Sequence, residues 1–151
     1  MQYILEGFDP LPANPTEEEK SNVQLRKRVK DILEAQGYVQ SQDLLTPGTF
    51  KSHVAYEDLY GTTAYSAFVI CHMTGGLTRI EPHQQQVSGS VDRKFPFFLL
   101  SAQRAPEPNV LLLIEGKGHK KAAFDWLCRE ARACQPKQIM CKDLAEFELW
   151  L

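Results

Sequence analysis

Apolar residues recur at Leu25, Val29, Ile32 and Leu33, a spacing of i, i+4, i+7 and i+8 that lines one stripe of an α-helix. Thr16 followed three residues later by Glu19 forms a capping box, the acids after Pro15 suit the positive end of the helix dipole, and Gly37 stands where a left-handed cap is wanted. This predicts a helix from about 16 to 36. Residues 40–63 carry Thr46-Pro47-Gly48 and Gly61-Thr62-Thr63 but no sustained period, which predicts loops and short pieces. Residues 64–73 are rich in aromatic and β-branched side chains and end at Gly75-Gly76, which reads as a strand and a turn, with a further strand or strand pair over 77–91.

Two apolar runs follow, 94–100 and 110–114, separated by the turn chemistry of Arg104-Ala-Pro-Glu-Pro-Asn109. They predict neighbouring strands in a hairpin, the second buried on both faces because it is apolar throughout. Residues 120–133 return to helical spacing through Ala123, Phe124, Leu127 and Ala131, and Pro136 ends that helix. A short strand over 138–141 and a last turn capped by Asp143 with Glu146 complete the order, Leu144, Phe147 and Leu151 docking that turn. The pattern predicts an α/β (α+β) fold, a central mixed β-sheet flanked by helices, in one domain over 1–151.

Composition changes little in this picture. The 151 residues are 43% apolar and 24% charged, which excludes a disordered chain, and the longest apolar run is far short of the roughly 20 residues of a membrane span. Seventeen basic and nineteen acidic residues leave a net charge of -2, so no polybasic coat is present and basic patches must be local. Such patches are Arg26, Lys27 and Lys30 on the first helix and Lys120-Lys121 at the start of a later one. The N-terminus has neither a basic region nor a long apolar stretch, and an intracellular, cytoplasmic location is expected. The four cysteines contain no C-x-x-C pair and predict small apolar side chains rather than a zinc site, three of them around the C-terminal helix and strand. The four histidines have no nucleophile motif beside them.

The densest chemistry is Ile114-Glu115-Gly116-Lys117-Gly118-His119, at the exit of the apolar run. Strand alternation would aim Glu115, Lys117 and His119 the same way, and two glycines leave room for a ligand. An acid two residues before a lysine suits metal-dependent phosphodiester hydrolysis: the carboxylate holds the ion and the ammonium orients water or stabilises charge. Asp92, preceding the predicted partner strand, offers a second carboxylate. Phosphate-loop readings fail because neither G-x-x-x-x-G-K-[ST] nor G-x-G-x-x-G is completed. The Leu113-Ile-Glu115-Gly116 stretch is also similar to the first half of a Toprim domain, but no Asp-x-Asp follows.

Ser90-Val-Asp92 leading into one segment, then 110–117 ending Glu115-Gly-Lys117, then a helix and strand, resembles the PD-(D/E)XK nuclease superfamily, the restriction-endonuclease-like fold. The resemblance implies Asp92 and Glu115 as metal ligands, Lys117 as the catalytic lysine, and Mg²⁺ or Mn²⁺ as cofactor. It further implies an auxiliary acid on the first helix, Glu19 or Glu34. His119 would assist proton transfer or contact phosphate, while Arg26, Lys27, Lys30, Lys120 and Lys121 would touch the nucleic-acid backbone. The expected function is a metal-dependent endonuclease acting on DNA, RNA being the other nucleic acid the motif admits, as a homodimer or within a larger complex. The alternative is a noncatalytic α/β interaction subunit, in which Glu115 and Lys117 merely pair. Residues 40–63, with Tyr56, Glu57 and Asp58, carry no assignment.

Overall fold

The structure, a computed structural model, describes residues 13–43, 46–84, 91–116 and 121–151. Its elements run α1 (Glu17–Ala35), β1 (Val39–Gln40), β2 (Thr49–Glu57), β3 (Thr63–Cys71), β4 (Leu77–Gln84), α2 (Val91–Arg104), β5 (Asn109–Glu115), α3 (Lys121–Ala133), β6 (Gln138–Lys142) and α4 (Leu144–Trp150). The six strands form one sheet in chain order. β2, β3 and β4 are an antiparallel meander, β4, β5 and β6 are parallel, and β1 pairs parallel with β2. The mixed α/β sheet flanked by helices is the architecture the pattern predicts.

The capping boxes form as expected. Thr16 Oγ1 accepts from the Glu19 N–H at 3.1 Å, and Glu19 Oε1 accepts from the Thr16 N–H at 3.2 Å. Asp143 and Glu146 make the same reciprocal pair at the start of α4. β5 alternates between two cores. Leu111 and Leu113 join Leu25, Val29 and Leu33 of α1 and Phe147 of α4, while Val110, Leu112 and Ile114 join Phe95 and Leu99 of α2 and Leu127 of α3. Helices on both faces are what a continuously apolar parallel strand requires. The two crossovers, β4 to β5 through α2 and β5 to β6 through α3, advance the same way along the sheet, so a shared handedness puts α2 and α3 on one face.

Three predicted elements differ. Residues 94–100 belong to helix α2, not to a strand, so no hairpin joins them to β5, whose neighbours are β4 and β6. The run that looks strand-like is amphipathic at helical spacing, with Phe95, Leu99 and Ala102 all facing the core. The stretch expected to be loops contains β2, nine residues long and paired with β3. The strand expected over 77–91 is β4, Leu77–Gln84, and Val91 already opens α2. Cys128, Cys134 and Cys141 lie around α3 and β6 as free thiols, as expected.

One polar network crosses the sheet. Arg79 on β4 is 1% exposed and forks onto Glu107, 8% exposed, with Nε–Oε2 at 2.5 Å and Nη2–Oε1 at 2.7 Å. Its Nη1 donates to the Val54 carbonyl of β2 at 3.0 Å and to Ser66 Oγ of β3 at 2.6 Å, and its guanidinium lies 4.7 Å from the Tyr56 ring centroid. Lys137 donates to the Ala105 and Glu107 carbonyls, holding the turn that carries the acid. Glu107→Gln should cost about 3–5 kcal/mol in urea unfolding, because it leaves a buried guanidinium uncompensated. Pairing Arg79→Met with Glu107→Leu should recover part of that loss; a double variant as unstable as the single one would show that the Val54 and Ser66 contacts dominate.

Candidate active site

β3 and β4 part company before their neighbours do. The β3–β4 ladder ends at Phe68↔Ile80, whereas β4 stays paired with β5 as far as Gln84↔Glu115. The gap beyond Ile80 is a cleft of about 310 Å³ floored by Ser66, Glu81 and His83 and walled by Asn22 and Arg26 of α1. Asn22 Oδ1 accepts from the Gln84 N–H at 2.8 Å, which ties α1 to the end of β4. The cleft thus opens near the carboxyl edge of the parallel strands, where open α/β sheets place their ligands.

Arg79, Glu81 and His83 alternate along β4, and the last two line the cleft. Ser66 donates its hydroxyl proton to Glu81 Oε1 while accepting from Arg79, so a chain runs Glu107, Arg79, Ser66, Glu81. Burial pushes the Glu81 carboxyl up to about 7, against the opposing pull of the Ser66 hydroxyl and Arg79. Burial pulls His83 down to about 4, helped by Lys94 and Arg26. Near neutral pH the floor therefore holds a neutral imidazole beside an acid poised to ionise. The His83 ring stacks on Phe98 with centroids 3.9 Å apart and planes 10° from parallel, which fixes its orientation.

Two stacked ring pairs lie on this side of the sheet, and His53 and Tyr65 of the first line the cleft. His53 stacks on Tyr65 at 4.2 Å and 5°, and Tyr60 stacks on Phe97 at 5.4 Å. His53 has φ +55°, left-handed backbone that costs a non-glycine residue on the order of 1 kcal/mol or more and that clusters at functional sites. It falls in the register gap between Ser52↔Phe68 and Val54↔Ser66, where β2 bends its side chain to the cleft.

The described residues singled out from sequence fall on α1, α2, β5 and α3. Glu115 ends β5, partly buried, and its Oε1 accepts from the Leu144 N–H at 3.3 Å at the start of α4. Gly116 turns the chain with φ +98°, so strand alternation stops at Glu115. Lys117, His119 and Lys120 lie outside the described residues. Asp92 falls in the first turn of α2, not on a strand beside β5. The Glu19 carboxylate serves the capping box, and Glu34 is exposed and pairs with Lys30 at 3.9 Å. Lys27 is exposed, and Lys121 pairs with Asp125 at 2.9 Å. Of the basic set, Arg26 alone among the described residues lines the cleft. Sequence reasoning missed Glu81, His83, Ser66, Asn22 and His53. The available signal was Glu81-Pro-His83, an acid two residues before a base near the end of a strand. Asp58, left unassigned, accepts from the Tyr60 and Thr62 N–H groups and the Thr62 hydroxyl, an anchor for the β2–β3 turn.

Among the described residues, no three Asp, Glu, His or Cys side chains gather to cage a metal. Glu81, Ser66 and His83 nevertheless give an oxygen and nitrogen donor set, and Mg²⁺ is commonly held by one or two carboxylates with water and phosphate oxygens completing its shell. That donor set fits such an ion with Glu81 as the protein ligand. Among the described residues no helix is long and apolar enough to cross a membrane.

A family model described as a PD-(D/E)XK nuclease superfamily domain matches residues 17–151. No curated protein and no solved structure matches the chain.

Glu81 keeps its proton to about 7 when folded but to its ordinary 4.5 when unfolded, so its contribution to stability is full below about 4.5 and is lost as pH rises through 7. His83 acts in the opposite sense, its contribution present above 6.5 and lost as pH falls through 4. Glu81→Gln should therefore become progressively more stable relative to the parent protein between about pH 5 and about pH 8 in urea unfolding. A stability difference independent of pH across that window would mean that Glu81 titrates as an ordinary surface carboxyl.

Proposed function

Because the chain belongs to the PD-(D/E)XK nuclease superfamily, we propose that it hydrolyses DNA phosphodiester bonds with a divalent ion, Mg²⁺ or Mn²⁺, in the cleft between α1 and the parted ends of β3 and β4. The observation that carries this reading is the pair Glu81 and His83, an acid two residues before a base, on the floor of a cleft that also presents the Arg26 guanidinium. A bound divalent ion supplies a water of lowered pKa and offsets phosphate charge. Glu81 is the residue that would hold such an ion, through its carboxylate. His83, neutral and fixed by Phe98, accepts a proton from the attacking water at its unprotonated ring nitrogen. Arg26 positions a phosphate as a planar donor. Duplex cleavage needs two such centres, so a second copy of this chain or a partner subunit completes the reaction.

A second reading has its own support. Glu81 is the only carboxylate among the described residues lining the cleft, and across from it β3 offers Ser66 rather than an acid. On that reading the cleft binds nucleic acid without cutting it.

Plasmid and oligonucleotide cleavage in Mg²⁺ or Mn²⁺ against EDTA separates the two. Glu81→Gln should abolish metal-dependent cutting and His83→Ala should slow it about a hundredfold, while Glu115→Gln, which disturbs the start of α4, should chiefly lower stability. Cutting that survives Glu81→Gln but is lost in Glu115→Gln and Lys117→Ala would move the centre to the end of β5, with Asp92 as its second acid. Binding without cutting by the folded parent protein would establish the noncatalytic reading.

A further inference from the structure

Behind the cleft, between α2 and the sheet, lies a second cavity of about 180 Å³ that shares Tyr65, Glu81 and His83 with it. Its remaining walls are largely aromatic and apolar: Tyr56 from β2, Phe97 and Phe98 from α2, and Leu112 beneath. Ser101 also lines it. That residue is 2% exposed, and its Oγ has no hydrogen-bond partner among the described residues. A hydroxyl removed from water without a partner is destabilising, and such groups in folded proteins call for an explanation.

We infer that this cavity is a pocket for a single unpaired nucleobase, taken from the strand whose phosphate occupies the adjoining cleft. A base is flat, presents a π-face to Tyr and Phe rings, and carries donors and acceptors on its edge that can engage the stranded Ser101 hydroxyl. The cavity has little more than half the volume of the cleft, which suits one ring system and not a base pair. Because the two spaces share Glu81, His83 and Tyr65, a phosphate near Arg26 leaves its own base within reach of the pocket. Exposed Tyr65 and Tyr60, each stacked on a second ring, extend the same stacking surface to solvent. The substrate class is accordingly single-stranded DNA, or a duplex position where one base has left the stack.

This inference rests on the phosphate-binding role proposed for the cleft, and the test keeps the two apart. Binding of a mixed-sequence single strand is compared in EDTA with binding of an abasic sugar–phosphate strand of equal length. The base-bearing strand should bind about tenfold more tightly. Ala102→Trp, which fills the pocket, should bring it down to the abasic level without changing the slope of affinity against salt, since no phosphate contact is lost. Ser101→Ala should raise the Tm of the free protein yet weaken base-dependent binding several-fold; if Ala102→Trp fails to fold, this variant decides. Equal affinity of the parent protein for both strands, or undiminished base preference in Ser101→Ala, overturns the pocket and leaves the phosphate site standing. Binding of neither strand overturns both, and base-dependent binding without cleavage in metal overturns hydrolysis alone.

Discussion

The geometry of the sheet depends on one buried ion pair. Arg79 and Glu107 bring together β4 and the turn before β5, and the same guanidinium reaches the main chain of β2 and the Ser66 hydroxyl of β3. Burying a lone guanidinium would be costly, and the cost is offset only if every one of these partners is in place. The network thus fixes three strands relative to one another at the level where β3 and β4 begin to part. It also sets the chemistry next door, since Ser66, held by Arg79, is free to donate only toward Glu81.

The site follows from that placement. Pairing between β3 and β4 stops at Ile80 while β4 continues beside β5, so the final residues of β4 are unpaired on one side and supported on the other. A half-supported strand end is rigid enough to hold Glu81 and His83 in position and open enough to admit a ligand. α1 completes the wall through Asn22, whose amide oxygen takes up the Gln84 N–H.

How much of this was legible depends on whether the signal was local. The helix α1 was readable because a capping box and an apolar stripe are encoded within a few residues. β5 was readable because uninterrupted apolarity admits little but a doubly covered strand. α2 was not, since Phe95-Pro-Phe-Phe suggests a strand and Pro96 argues against a helix interior, yet packing of Phe95 and Leu99 overrides propensity. β2 was hidden by the left-handed kink at His53, which breaks its alternation. Glu115 drew attention as a charge after an apolar run, and its carboxylate also accepts from the Leu144 N–H at the start of α4. Glu81 was overlooked because a single acid within a strand-like stretch carries no local mark of its partners. Its meaning emerges only when β3 brings Ser66 alongside, fifteen residues away in sequence.

The sheet's margins carry a consequence for how the molecule meets others. Among the described residues the last strand on one side is β1, two residues long, and on the other it is β6, five residues. Neither offers the long, flat ladder of unpaired amides along which chains zip into fibrils or swap strands. Among the described residues β1 covers only Thr49 and Phe50 of β2, so the outer edge of that strand from Lys51 to Glu57 is the stretch of border along which another β-segment would add.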